Sequence, residues 1–411
     1  MVTQSAVTDG EGSLTIPDGW QLARIGDHFD FKNGLNKAKE FFGKGTPIVN
    51  YLDVLDNPGI RAETIKGRVT VSREEIHSFG VQRGDVLFTR TSETIGEIGM
   101  ASVILDDVKD TVFSGFILRA RPRTKLFDLK FKEYCFRSES VRRQIISMGT
   151  KTTRALTSGT LISKVLVPVP SNSEEQSAIG IALSDVHELI AQLDKLIAKK
   201  KSIKQGAIRD LLTGRRRLPG FEGKWVQRRF AEIASPRRKR LDTKSGEEPE
   251  FCIELEHIEP SSGRILGNTT TRGDSSSRFE FREGDVLFGR LRAYLKKYWL
   301  ANRSGVCSTE IWVLEPNLAL VSPSFLFQVV QTSEFIEIAS IAYGTHMPRS
   351  DWQVVSNYNV NLPSLAEQSA ISQVLSDMGT EIDELGRRRK KYALVKDGMR
   401  QQLLTGRIRL Q

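Results

Sequence analysis

The side chains able to do chemistry in this chain are mostly cations set among small apolar residues. In Arg290-Leu291-Arg292-Ala293-Tyr294-Leu295-Lys296-Lys297 the two kinds alternate. Read as extended backbone, that alternation places Arg290, Arg292, Tyr294 and Lys296 on one face, with Lys297 at its end. Guanidinium, ammonium and phenol groups so arranged suit phosphates and base edges. Two short polar loops offer the same chemistry, one with Lys151, Thr152 and Arg154, the other with His346 and Arg349. Arg90 stands at the exit of an apolar run, as Arg290 does. Exposed arginines also serve solubility alone, and for Arg237-Arg238-Lys239-Arg240 a phosphate clamp and a solvated loop both remain open.

Other chemistries find little footing. Asp210 followed by Glu222-Gly223-Lys224 has the spacing of a metal nuclease, but it falls in a Gly/Pro-rich join where chance matches are frequent. His28, His77, His187, His257 and His346 show no HxxxH spacing. Cys135, Cys252 and Cys307 are far apart and lack a CxxC pair, which disfavours a disulfide scaffold or a zinc ribbon. No GxxxxGK[ST] or GxGxxG loop occurs, and the absence of any Pro-Pro dipeptide excludes the adenine methyltransferase signature. The expectation is therefore a chain with no catalytic residue and no metal ligand.

The elements that position these cations come in two copies. Glu175-Gln176-Ser177-Ala178-Ile179 returns as Glu367-Gln368-Ser369-Ala370-Ile371, and Leu211-Leu212-Thr213-Gly214-Arg215 as Leu403-Leu404-Thr405-Gly406-Arg407. No insertion interrupts the copies. Glu175 to Thr213 lacks proline and is rich in Ala, Leu, Lys and Glu, with acids at its start and Gly214 after its end, so each copy reads as one helix. Such a helix is roughly 58 Å long, more than the ~34 Å of one B-DNA turn, and could hold two DNA-reading domains a full turn apart. Ile179, Leu183, Val186, Ile190 and Leu193 follow a 4,3 spacing, matched by Ile371, Leu375, Met378, Ile382 and Leu385. That pattern predicts an antiparallel intramolecular coiled coil, with Lys204 and Lys396 at corresponding seam positions as a register device.

Each helix follows a larger, diverged segment. Arg83-Gly84-Asp85-Val86-Leu87-Phe88-Thr89-Arg90 corresponds to Glu283-Gly284-Asp285-Val286-Leu287-Phe288-Gly289-Arg290, a tight turn entering a buried strand. The order reads as a tail at 1–12, a first domain at 13–170, a helical region at 171–218, a second domain at 219–364 and a second helical region at 365–411. The fold class expected is mixed α/β, two similar domains on a helix pair with circular pseudo-two-fold order, which would bring the chain's two ends together. A formal charge of +10 points to a polyanionic partner. No long apolar run is present, and the expected compartment is the cytoplasm.

The sequence of a diverged domain, a Leu-Pro segment, Glu-Gln opening a long helix and a Leu-Leu-Thr-Gly-Arg end, all given twice, resembles the DNA specificity subunit of type I restriction-modification enzymes. Gly344-Thr345-His346-Met347-Pro348-Arg349 adds to the likeness, which covers essentially the whole chain; in the first copy Thr152 replaces the methionine. The resemblance implies two target recognition domains that read a bipartite, asymmetric target in double-stranded DNA. It further implies helices that dock methylation subunits, two of them, and restriction subunits. S-adenosylmethionine would belong to the methylation partners, ATP and magnesium to the restriction partners, and no cofactor to this chain. A DNA-binding scaffold or repressor that directs no modification is the alternative, and a nuclease using Asp210, Glu222 and Lys224 is a third reading.

Overall fold

The computed structural model describes residues 5–9, 12–151, 153–240, 251–270, 277–341 and 347–410. They form two compact units, Met1–Asp194 with Arg388–Gln411, and Lys195–Arg387. Each unit contains one globular domain, part of the helix Ser173–Leu212 and part of the helix Leu365–Leu403.

In the first unit a five-stranded sheet runs in the order Phe29–Asn33, Ile117–Pro122, Val86–Thr89, Ala101–Ile104, Gly59–Ile60. Val86–Thr89 is buried throughout because its two faces enter different cores. Val86 and Phe88 pack with Phe29, Phe131 and Phe136, whereas Leu87 packs with Val49, Ile60 and Phe113. This two-sided burial explains why the strand reads as continuous apolar chain instead of alternating. The second unit repeats the device. There a four-stranded sheet runs Ala234–Pro236, Ile311–Pro316, Val286–Gly289, Tyr298–Leu300. Val286 and Phe288 face Phe230, Phe325 and Phe335, and Leu287 faces Ile253, Phe281 and Trp299. The turns entering both strands need glycine, since Gly84 has φ +87 and Gly284 φ +86. The aspartates that follow are fully buried turn ties. Asp85 accepts from the Gln82 N–H and from Arg121, and Asp285 from the Arg282 N–H and from Arg237.

The helices pair antiparallel within each unit. In the first, Asp194 meets Arg389 at 3.0 Å and the His187 Nδ1 meets the Lys396 Nζ at 2.7 Å. In the second, Lys200 meets Glu381 at 2.7 Å. Along the seam Ile179, Leu183, Leu193, Ile371 and Leu375 are buried, and Val186, Ile190, Met378, Ile382 and Leu385 are half-buried. Lys200 and Arg389, which stand in basic runs on these helices, are thus turned to the neighbouring helix.

The repeated Glu-Gln pair is a lock between helix and domain. Gln176, 1% exposed, accepts from the Asp128 N–H at 2.8 Å and donates to the carbonyls of Leu126 and Pro170. Gln368, fully buried, accepts from the Ser322 N–H at 2.9 Å and donates to the carbonyls of Leu320 and Pro363. The glutamates close the other end. Glu367 takes both Arg217 nitrogens at 2.6 and 2.9 Å, and Glu175 takes Arg409 in the same manner. Arg217, the last of the run Arg215-Arg216-Arg217, is committed to this bridge. Arg409 also donates to the Asp18 carbonyl at 2.6 Å, so the end of the second helical repeat closes onto the entry of the first domain. Met1 and Gln411 lie outside the described residues.

Lys204 sits over Gly379, its ammonium 2.9 Å from where a β-carbon would stand. Burial pushes its pKa down, with Asp383 partly opposing. A lysine whose folded pKa is depressed costs stability while protonated, and the cost disappears as pH rises through that pKa. Lys204→Met is therefore expected to raise the urea midpoint of the second unit at pH 7, with the advantage shrinking toward pH 10. An advantage that stays constant across this range would assign the gain to packing alone.

Candidate nucleic-acid interface

The second domain builds a cationic cavity where its central strand ends. Arg290 follows Val286–Gly289 and its backbone is held from both sides, its N–H donating to the Glu310 carbonyl at 2.9 Å and its carbonyl accepting the Ser350 N–H at 2.8 Å. Its guanidinium lies 5.9 Å from the Trp312 ring centroid. The Nε atom is buried and has no hydrogen-bond partner among the described residues. The cavity in front of it measures about 550 Å³ and is lined also by Arg238, Arg240, Arg349 and Trp352.

The run Arg237–Arg240 divides by alternation. Arg237 turns inward to Asp285 at 3.1 Å and Glu315 at 2.8 Å, and Lys239 pairs with Glu280 at 2.8 Å. Arg238 and Arg240 remain exposed, Arg240 over the Phe279 ring. Arg237 and Lys239 are thus ion-paired, while Arg238 and Arg240 line the cavity together with Arg237.

Three of the expected DNA-facing residues need correction. Arg349 is bidentate to Glu310, with contacts of 2.8 Å, and this bond, aided by the charge of Arg290, holds the Glu310 carboxyl below the usual carboxylate range. Two of its three nitrogens are thereby engaged within the fold. Lys297 donates to the Leu255 carbonyl at 2.6 Å, so its charge supports the fold. Arg290 to Lys297 is not an extended face, because it joins two antiparallel strands in which Phe288 opposes Tyr298 and must reverse direction. A 3-10 turn at Ala293–Leu295 does this, with Arg292 at φ 52 and Lys296 at φ 53 on either side. Ala293 is buried and anchors the turn, while Arg292, Tyr294 and Lys296 are exposed together at its tip.

In the first domain Arg90 is half-buried and Arg154 exposed. Lys151 is placed by its backbone pairing with Ala155, and Thr152 and His346 lie outside the described residues. Matching Arg154 to Arg349, as the sequence suggests, is wrong by two positions. Leu156 pairs with Thr91 as Arg349 pairs with Leu291, and the Thr157 N–H bonds Arg90 as the Ser350 N–H bonds Arg290. The first domain thus carries Leu156 and Phe116 where the second carries Arg349 and Glu310. Leu156 is 38% and Phe116 52% exposed. Arg238 and Arg240 lie in the basic run whose role the sequence left open, whereas nothing local in the sequence pointed to Trp312 or Glu310.

The nuclease-like residues are not gathered at a metal site. Asp210 pairs with Arg209 at 3.4 Å, and Glu222 and Lys224 line a cleft with Arg217 and Trp225. Among the described residues no group of three or more His, Cys, Asp or Glu is placed to hold a metal, and no helix is long and apolar enough to cross a membrane. The three cysteines are buried and unbridged.

A family model described as "Type I restriction modification DNA specificity domain" matches residues 223–392. The MjaVIII type I restriction enzyme specificity subunit of Methanocaldococcus jannaschii is 21% identical over 97% of this chain and 95% of its own length. The EcoDI specificity subunit of Escherichia coli is 29% identical over 42% of this chain and 37% of its own length. Among solved structures, the S subunit of a type I system from M. genitalium has a TM-score of 0.56 at 16% identity, covering 93% of this chain and 96% of that one. A chain from a type I restriction-modification assembly has a TM-score of 0.57 at 14% identity, covering 96% and 99%. These structural likenesses speak to fold, and they extend over both repeats. By the profile match over residues 223–392 and a relative aligned along nearly its whole length, this chain is similar to type I restriction-modification DNA specificity subunits.

Proposed function

We propose that this chain is the sequence-recognition subunit of a type I restriction-modification complex, reading a bipartite, asymmetric DNA target with its two domains. The observation that carries this is one scaffold used twice with different exposed chemistry. The Glu-Gln locks and the buried Gly-Asp turns are common to both units, whereas the position beside the exit arginine holds Arg349–Glu310 in one and Leu156–Phe116 in the other. A binder of a symmetric site has no use for such divergence. Exposed cations, among them Arg154, Arg238, Arg240, Arg292 and Lys296, supply affinity through phosphates, and a few fixed side chains choose bases. The paired helices dock methylation subunits, two per chain because the repeat offers the docking surface twice, and restriction subunits join that assembly. S-adenosylmethionine is then bound by the methylation partners, and ATP and magnesium by the restriction partners.

The test is genomic. Deleting the gene in its host is expected to abolish adenine methylation at one non-palindromic bipartite sequence, modified on opposite strands in its two halves, and complementation should restore it. DNA binding by the chain with no change in the methylome would favour the scaffold or repressor reading.

A further inference from the structure

We infer that Arg290 is the specificity-determining residue of the second domain and reads a guanine, while Arg238 and Arg240 at the rim of the same cavity hold flanking phosphates. The inference rests on the DNA-recognition reading and adds the base and the residue that reads it. Arg290 differs from every other expected reader in being fixed and unpaid at once. Its backbone is clamped by Glu310 and Ser350, its guanidinium is laid against Trp312, and its Nε–H lacks an acceptor among the described residues. A planar guanidinium whose edge is free takes two adjacent acceptors at fixed separation, and in the major groove guanine offers O6 and N7 in that arrangement.

The neighbours leave this role to Arg290. Arg349 is held in an ion pair by Glu310, and Arg237 by Asp285 with Glu315. Arg240 also bridges Phe279 and lies 5.9 Å over its ring, but Arg238 and Arg240 are both exposed where Arg290 is half-buried, which suits contacts to phosphate. The first domain has no equivalent device. Leu118 opposes Phe88 as Trp312 opposes Phe288, so Arg90 has no ring to lie against at that position. A guanine requirement from this mechanism therefore belongs to one half-site only.

The experiment is selection from a random duplex DNA library with the full chain, purified from its host together with the subunits it holds, followed by sequencing of bound DNA. Wild type should select a bipartite sequence with an invariant guanine in one half. Arg290→Ala should lose discrimination at that guanine by about tenfold or more while the other half-site persists, which also reports intact folding. Arg290→Lys keeps the charge without the fork and should relax the same position. Replacing that guanine by 7-deazaguanine, which lacks N7, should weaken wild type and leave Arg290→Ala unaffected. The paired change Arg238→Ala with Arg240→Ala should weaken all sequences alike and keep the selected sequence. An unchanged selection by Arg290→Ala, or a uniform loss across sequences as expected of a phosphate contact, would overturn the assignment. Failure of wild type to select any bipartite sequence would instead overturn the DNA-recognition reading and this inference with it.

Discussion

Gln368→Ala is expected to destabilise the second unit by about 3 kcal/mol or more. The side chain is fully buried and bonds the Ser322 N–H and the carbonyls of Leu320 and Pro363, so truncation strands three backbone groups at once. Each buried group left unpaired costs about 1–3 kcal/mol, and partial relaxation brings the sum toward the lower end. Gln176→Ala should do the same to the first unit, since its three partners correspond one for one. Exposed Gln401 is the control, where alanine should change stability by less than about 0.5 kcal/mol. Because two units need not unfold together, the measurement is the transition of each unit separately, by amide exchange in urea. A loss below about 1 kcal/mol would mean that water replaces the glutamine in all three bonds. The affected segments, 126–128 with 170 and 320–322 with 363, identify where each domain meets its helix.

The second large effect is on DNA affinity through salt. If the exposed cations contact phosphate, a complex with six to ten such contacts should lose roughly 10³-fold or more in affinity between 50 and 200 mM salt. Arg292 and Lys296 share the tip of one turn, held by backbone hydrogen bonds while their side chains are exposed, so replacing both with alanine should flatten the slope of log affinity on log salt by about two. Lys297→Ala is the counter-case. Its ammonium is spent on the Leu255 carbonyl, so its loss should lower stability and leave the salt slope nearly unchanged. Titration of duplex DNA at four or five salt concentrations decides both, and a steep response to Lys297 with none to Arg292 and Lys296 would show that the DNA face lies elsewhere.

What was legible in the sequence was whatever repeats or alternates within a few residues. The helices, their seam, the strands after Gly84 and Gly284 and the doubled order follow from periodicity and turn chemistry, because those are set by the chain's own geometry over short spans. Two local readings failed for a shared reason. Alternation in Arg290–Lys297 implied a strand, but the antiparallel pairing on either side of it demands a reversal, and pairing is not a local property. Arg154 looked like the counterpart of Arg349 by spacing, yet strand register assigns that place to Leu156.

The family likeness lay in the Glu-Gln and Leu-Leu-Thr-Gly-Arg motifs, but their work did not, since Glu367 and Arg217 are 150 residues apart and meet only when the helices pair. The same holds for every cation near the proposed interface. Charge on an arginine is a sequence fact, whereas its availability depends on whether folding brings a carboxylate within reach. Arg237 is consumed by Asp285, Arg349 by Glu310 and Arg217 by Glu367, all across long separations. Arg290 is left with Trp312 and, with Glu310 tied to Arg349, no ion pair among the described residues, because a guanidinium's partner is chosen by distance in space.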